Sequence, residues 1–186
     1  MKNKILLLPG DGVGPEITTE AVKILDYIIG KSIVDVSYTK GDIGGVAIDN
    51  HNNPFPDETL QKARDSSSIL LGAVGTIKHS NNPNNMKPES GLLALRKNLD
   101  LYINLRPIFI LPSLISCSSL KPEVIKDIDI IIVRELVSDI YFGEPRGFDN
   151  DSRSAFNTMR YSEDEIERIA SYAFDLSETR KSIITS

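Results

Sequence analysis

The chain has 186 residues, 40% of them hydrophobic and 25% charged, which is an ordinary soluble composition with room for one or two packed domains. Its net charge of −5, carried without any basic block, disfavours nucleic acid and anionic membrane surfaces as partners. One cysteine, Cys117, excludes an internal disulfide and suits a reducing, cytoplasmic setting. Two histidines and one cysteine argue against a zinc centre. No apolar run approaches the roughly 20 residues needed to span a bilayer, and the N-terminus lacks a signal-peptide pattern.

Lys4–Leu8 is a short apolar run stopped by Pro9-Gly10, and it reads as a buried strand. Gly10-Asp11-Gly12-Val13-Gly14-Pro15-Glu16 follows, with Pro15 suited to a first helical position and Glu16 to the positive helix start. The helix continues through Ala21, Val22, Ile24, Leu25 and Ile28. The glycines fall at 10, 12 and 14 and position 15 is proline, so the G-x-G-x-x-G dinucleotide fingerprint is not met. Asp42 is therefore not read as its ribose-binding acid, and the turn is taken as a tight strand-to-helix connection.

Ile33–Thr39 alternates like a half-buried strand, Asp57–Arg64 reads as a short helix, and Ile69–Val74 as another buried strand. That strand empties into a long polar loop, Gly75 to Pro88, at the end of a parallel strand where open α/β sheets bind ligands. Pro88–Arg96 is an amphipathic helix on which Glu89, Leu92, Leu93 and Arg96 point broadly one way. A strand through Asn104-Leu105-Arg106-Pro107 to Leu111 follows, then a loop over Pro112–Leu120. Asp129–Glu135 is a hydrophobic strand carrying Arg134, and Ile140–Gly147 looks like a projecting arm. Ser162 with Glu165 forms a capping box. Ile166, Ile169, Ala170, Ala173, Leu176 and Ser177 mark the inner face of the helix it starts, and Ser182–Ser186 has strand composition. Strands alternating with helices argue for a largely parallel α/β sheet, with a boundary near residue 100.

The sharpest chemical signal is the set Arg96, Arg106 and Arg134, since two or three guanidinium groups can clamp a small dicarboxylate bidentately. Each could instead pair with a local acid, Arg96 with Asp100 or Arg134 with Glu135. Leu92 and Leu93 suit either core or pocket, and Glu89 suits a helix start. Tyr141 suits a proton relay or an interface anchor. Cys117 has no histidine nearby and reads as a bystander, and no aspartate cluster has Mg2+ or Mn2+ spacing.

These segments occur in a familiar order. Leu8–Glu16, Gly44-Gly45-Val46-Ala47-Ile48-Asp49, Gly72–Gly75, Pro88–Arg96, Asn104–Pro107 and Val133–Leu136 with Ile140–Gly147 together resemble the 3-isopropylmalate dehydrogenases among the β-decarboxylating dehydrogenases. The resemblance covers the whole chain. It implies a two-domain α/β fold of the isopropylmalate/isocitrate dehydrogenase type, not a Rossmann fingerprint fold, divided here into residues 1–99 and a dimerisation part 100–186 with an arm around 143–160. It implies oxidative decarboxylation of 3-isopropylmalate with NAD and Mg2+ or Mn2+ by a homodimer. Arg96, Arg106 and Arg134 would bind the malate part, Leu92 the isopropyl group, and Gly75, Thr76 and Glu89 the cofactor, with Tyr141 relaying a proton. The leucine pair points to isopropylmalate rather than isocitrate.

The same resemblance sets expectations that this chain departs from. Family members run to roughly twice this length, so the catalytic lysine, the metal-binding aspartates and the adenine loop are expected beyond a strand broken off at Ser186. Val137-Ser138-Asp139 stands where Thr-Gly-Gly is expected, and Thr76-Ile77-Lys78-His79 where Gly-Pro-Lys-Trp is. Two alternatives follow: a non-catalytic remnant or binding fragment, or a dehydrogenase acting on tartrate/malate or homoisocitrate.

Overall fold

A computed structural model describes residues 3–151, 153–181 and 183–186. The chain divides into two compact units, Met1–Leu99 and Asp100–Ser186.

The first unit is built on a parallel three-stranded sheet of order β2-β1-β3, with β1 at Asn3–Gly10, β2 at Val36–Lys40 and β3 at Ser68–Ala73. β1 is the central strand, and Leu6, Leu7 and Leu8 on it are fully buried. Successive side chains on a strand face opposite ways, so an unbroken leucine run needs cover on both faces of the sheet. Helix α1 (Gly14–Gly30) lies against β1 and β3. Leu6 and Leu8 join Ile43, Phe55, Ala63 and Leu95 in one buried cluster, to which α3 (Asp57–Arg64) and α4 (Pro88–Asn98) contribute. Burying each large aliphatic side chain there is worth roughly 1.5–3 kcal/mol.

The glycine turn between β1 and α1 is explained by this packing. A Cβ on Gly14 would stand 2.0 Å from the Pro9 carbonyl oxygen and 2.8 Å from the Ala73 backbone. The glycines let the turn press against β3, so protein backbone fills the space beside it. Asp42 likewise is occupied by protein: its carboxylate accepts from Asn50 Nδ2 at 2.9 Å and lies 3.0 Å from His51 Nε2. The Asn50 hydrogen bond, with help from His51, holds its carboxyl below the usual range.

In the second unit, β4 (Ile103–Phe109) and β5 (Asp129–Glu135) pair antiparallel, with Asn104 opposite Arg134 and Arg106 opposite Ile132. The expectation of a parallel sheet thus holds for the first unit and fails for this pair. Parallel neighbours need a full crossover, whereas the link here holds a 3-10 turn at Pro112–Cys117 and the single-turn helix α5 (Pro122–Ile125). A two-residue antiparallel pair, β6 (Gly147–Phe148) with β7 (Ala155–Phe156), lies in the segment expected as an arm. Helix α6 (Glu163–Glu178) begins with the full Ser162/Glu165 capping box and lies against β5.

Two expectations on this unit are corrected. Ile166 is 56% exposed rather than on the inner face; Ile169, Ala170, Ala173, Leu176 and Ser177 are half-buried. Residues 183–186 lie in no strand, and Ser182 lies outside the described residues. Strand composition yields a strand only where a neighbour takes the backbone hydrogen bonds. Among the described residues, no helix is long and apolar enough to cross a membrane.

Candidate functional site

The candidate side chains fall into two groups, one in each unit. In the first, the segment after β3 folds over the start of α4 and lines a wide-open cavity of about 670 Å3. Gly75, Thr76, His79, Ser80, Lys87 and Glu89 are among the residues that line it. All three residues expected at the cofactor therefore face one space.

Gly75 has φ +130°, and a Cβ placed on it would stand 3.1 Å from the Glu89 carboxylate. The glycine is what lets the strand end turn beside that acid. Thr76 accepts from the Lys78 backbone N–H at 3.1 Å and starts a 3-10 turn over Ile77–His79. A second such turn covers Asn84–Met86, so the stretch expected as plain loop is largely hydrogen-bonded. Glu89 sits in the first turn of α4, where the helix dipole favours a carboxylate.

Asp11 holds the cavity's edges together. It is 8% exposed; its Oδ2 accepts from the Gly45 N–H at 2.5 Å and its Oδ1 from the Gly75 N–H at 2.7 Å. One buried carboxylate thus joins the glycine turn, the start of α2 (Gly45–His51) and the entry to the cavity wall. The sequence reading placed Asp11 only within a tight turn. An acid between two glycines was the available clue, but its partners lie 34 and 64 residues away. Asp49 was missed in the same way. From α2 it accepts both bonds from Lys78 Nζ at 2.6 Å, and that contact holds its carboxyl below the usual range.

Leu92 and Arg96 lie on α4 of the same unit. Leu92 is half-buried, part of its surface packed on the core cluster and part accessible; Arg96 is half-buried.

In the second unit, directly opposed residues of an antiparallel pair point to the same side. The register therefore puts Asn104, Arg106, Ile132 and Arg134 on one face of β4–β5. Arg106 and Arg134 are diagonal neighbours there, with Cα atoms about 7–8 Å apart, within reach for long side chains. Arg106 Nε donates to Asn104 Oδ1 at 2.8 Å, which orients its guanidinium. Arg134 donates to the Tyr141 hydroxyl and its guanidinium lies 5.6 Å from that ring's centre. A phenol oxygen facing a guanidinium can hold a proton next to a carboxylate bound there.

The two acids weighed as local partners for these arginines each accept from another group. Glu135 accepts from the backbone N–H groups of Val137 and Ser138, and Asp100 accepts from Arg168 Nη1 at 2.9 and 3.1 Å. Among the described residues, no group of three or more His, Cys, Asp or Glu side chains could hold a metal ion. The donor set for Mg2+ or Mn2+ is not assembled in them. Cys117 is exposed.

A family model described as isocitrate/isopropylmalate dehydrogenase matches residues 4–186. The chain is 50% identical to the 3-isopropylmalate dehydrogenase of Hydrogenovibrio crunogenus, over 100% of this chain and 53% of that protein. It is 50% identical to the one from Aquifex aeolicus, over 100% of this chain and 51% of that protein. Among solved structures, an isocitrate dehydrogenase from Methylococcus capsulatus superposes with a TM-score of 0.76 at 29% identity, covering 95% of this chain and 48% of that one. A β-decarboxylating dehydrogenase from Thermococcus kodakarensis gives 0.68 at 29% identity, over 97% and 47%. The chain spans about half the length of the curated relatives it matches.

Proposed function

The chain belongs to the isocitrate/isopropylmalate dehydrogenase family, and from that premise we propose that it carries the substrate grip and the nicotinamide-side wall of an NAD-dependent 3-isopropylmalate dehydrogenase. The observation that carries this reading is the shared face of Arg106 and Arg134, with Tyr141 against the second of them. Two guanidinium groups fixed on a sheet suit the malate part of the substrate, and Arg96 on α4 is assigned to carboxylate binding as well. The accessible part of Leu92 is assigned to the isopropyl group.

Bound NAD would supply the acceptor for the C2 hydrogen as hydride, and with the hydroxyl proton passing to a base C2 would become a ketone. The C3 carboxylate then departs as CO2, its bonding electrons enter an enolate, and a proton returns to C3 to give 2-oxoisocaproate. The arginines hold the carboxylates through these changes of charge. Tyr141, on Arg134, is the group assigned to the returning proton. Gly75, Thr76 and Glu89 are assigned to the nicotinamide side of NAD: the cavity they share is roomy, and Gly75 leaves one edge of it without a side chain. The divalent metal of the family finds no donor cluster among the described residues. The second unit, with its β6–β7 arm, is assigned to homodimer formation, and the setting to the cytoplasm.

The test is calorimetric binding of 3-isopropylmalate to the 186-residue chain, with tartrate, malate and homoisocitrate as comparators. Arg106→Lys loses the bidentate fork, and the expected weakening is about 10-fold to 100-fold. Leu92→Ser should lower affinity for 3-isopropylmalate and leave malate unchanged. Equal binding of malate and 3-isopropylmalate by the unaltered chain refutes the substrate assignment. An assay of NADH formation on the same material decides whether this polypeptide turns over or only binds.

A further inference from the structure

His79 is the buried titratable group that the reading above leaves without a role. It is 6% exposed and forms part of the cavity wall. Its ring lies between two polar partners. On one side, Asn82 Nδ2 stands 3.2 Å from Nδ1; on the other, Asp49 Oδ1 stands 3.4 Å from Nε2. Asn82 Nδ2 also donates to the Met86 carbonyl at 3.0 Å. A carbonyl only accepts, so this bond fixes which end of the Asn82 amide is the NH2, and its second hydrogen points at Nδ1. Nδ1 must then be the acceptor, and in the neutral ring the hydrogen sits on Nε2, which is buried without a hydrogen-bond partner among the described residues and has the Asp49 carboxylate 3.4 Å away.

The result is a chain of contacts from α2 across the cavity wall: Asp49, His79, Asn82, then the backbone at Met86, two residues before α4 begins. Lys78 doubles the first link through its two 2.6 Å bonds to Asp49. With Asp11 fastening Gly75 at the other end, the wall is tied down at its entry, middle and exit.

We propose that His79 is a positioning residue, locked by Asn82 as the Nε2–H tautomer and packed beside Asp49, and that this tie holds the wall over residues 76–88 in the shape that receives a nicotinamide nucleotide. The ligand class rests on the functional reading above; the tautomer and the tie do not.

Three measurements on the 186-residue chain test it. Long-range proton–nitrogen spectra at pH about 8, where an unperturbed histidine is neutral, should show His79 carrying its hydrogen on Nε2; a hydrogen on Nδ1 overturns the proposal. His79→Phe keeps a ring of similar bulk and removes both contacts. It should speed amide exchange of residues 76–88 about tenfold, leaving the amides of β1–β3 as they were, and unchanged exchange in the wall overturns the tie. Because a buried substitution can unsettle the fold, Asp49→Ala supplies the second variant. Its side chain is 42% exposed, and it should loosen the same amides. Titration with NAD should then show weaker binding by His79→Phe, with His79→Gln, whose amide oxygen can accept from Asn82, recovering part of it. Equal affinity in the unaltered chain and His79→Phe overturns the positioning role. No NAD binding by the unaltered chain refutes the nucleotide reading instead, and the tautomer and exchange results still decide what His79 does.

Discussion

Replacing Asp11 with alanine removes the acceptor for two backbone N–H groups at once. The two bonds are unequal in consequence. Gly45 is buried, so its N–H is left without water, whereas Gly75 is exposed and its N–H can be rehydrated. A hydrogen bond to a charged group is worth about 1.5–3 kcal/mol net, and a stranded buried donor carries a desolvation cost of about 1–3 kcal/mol. Taking the full value at Gly45 and only a fraction at Gly75 puts the loss at about 2–4 kcal/mol. That is a large share of a domain's stability of about 5–15 kcal/mol. Asp11→Asn can keep an oxygen on Gly45 while its NH2 faces Gly75, and it should lose about half as much. The assay is native-state hydrogen exchange of the β1–β3 amides in increasing urea, which reports the first unit by itself. A loss below about 1 kcal/mol in Asp11→Ala, or an asparagine variant as damaged as the alanine one, refutes the reasoning.

Gly14→Ala should cost the first unit more than about 3 kcal/mol, because the new methyl meets backbone on every side and no side chain can move aside; the urea midpoint of the β1–β3 amides checks this. Ser162→Ala removes one half of the capping box on α6 and should cost about 1 kcal/mol, read as faster exchange in the first turn of that helix. Arg180 holds the Asp129 carboxyl below its usual range through a 2.7 Å contact. A depressed folded value contributes stability that is present above the unfolded pKa of about 3.9 and is lost as pH falls through the folded one. Asp42, Asp49 and Glu165 shift in the same direction. Denaturation midpoints should therefore fall as the solution is acidified below pH about 4, less steeply in about 1 M salt and less steeply in Arg180→Ala.

Local structure was legible wherever the signal was local. Pro15 at a helix start, the Ser162/Glu165 box, the leucine run of β1 and the bounds of Asp57–Arg64 each depend on residues within a turn or two of one another. The failed dinucleotide fingerprint was legible too, and packing supplied its cause: Gly14 is small because Pro9 and Ala73 crowd it. Strand direction was not legible. The composition of Ile103–Phe109 and Asp129–Glu135 marks both as strands but says nothing of which way they run against each other.

The motif order by itself determined the family and named most of the residues that line the cavity and carry the arginines. Only the tertiary structure decided what holds them. Arg106 and Arg134 share a face because of one particular register, and a shift by a single residue would have parted them. The Asp11 and Asp49 carboxylates find partners 29 to 64 residues along the chain. Such contacts depend on how helices and strands are brought together in space, and no periodicity in the sequence encodes that distance.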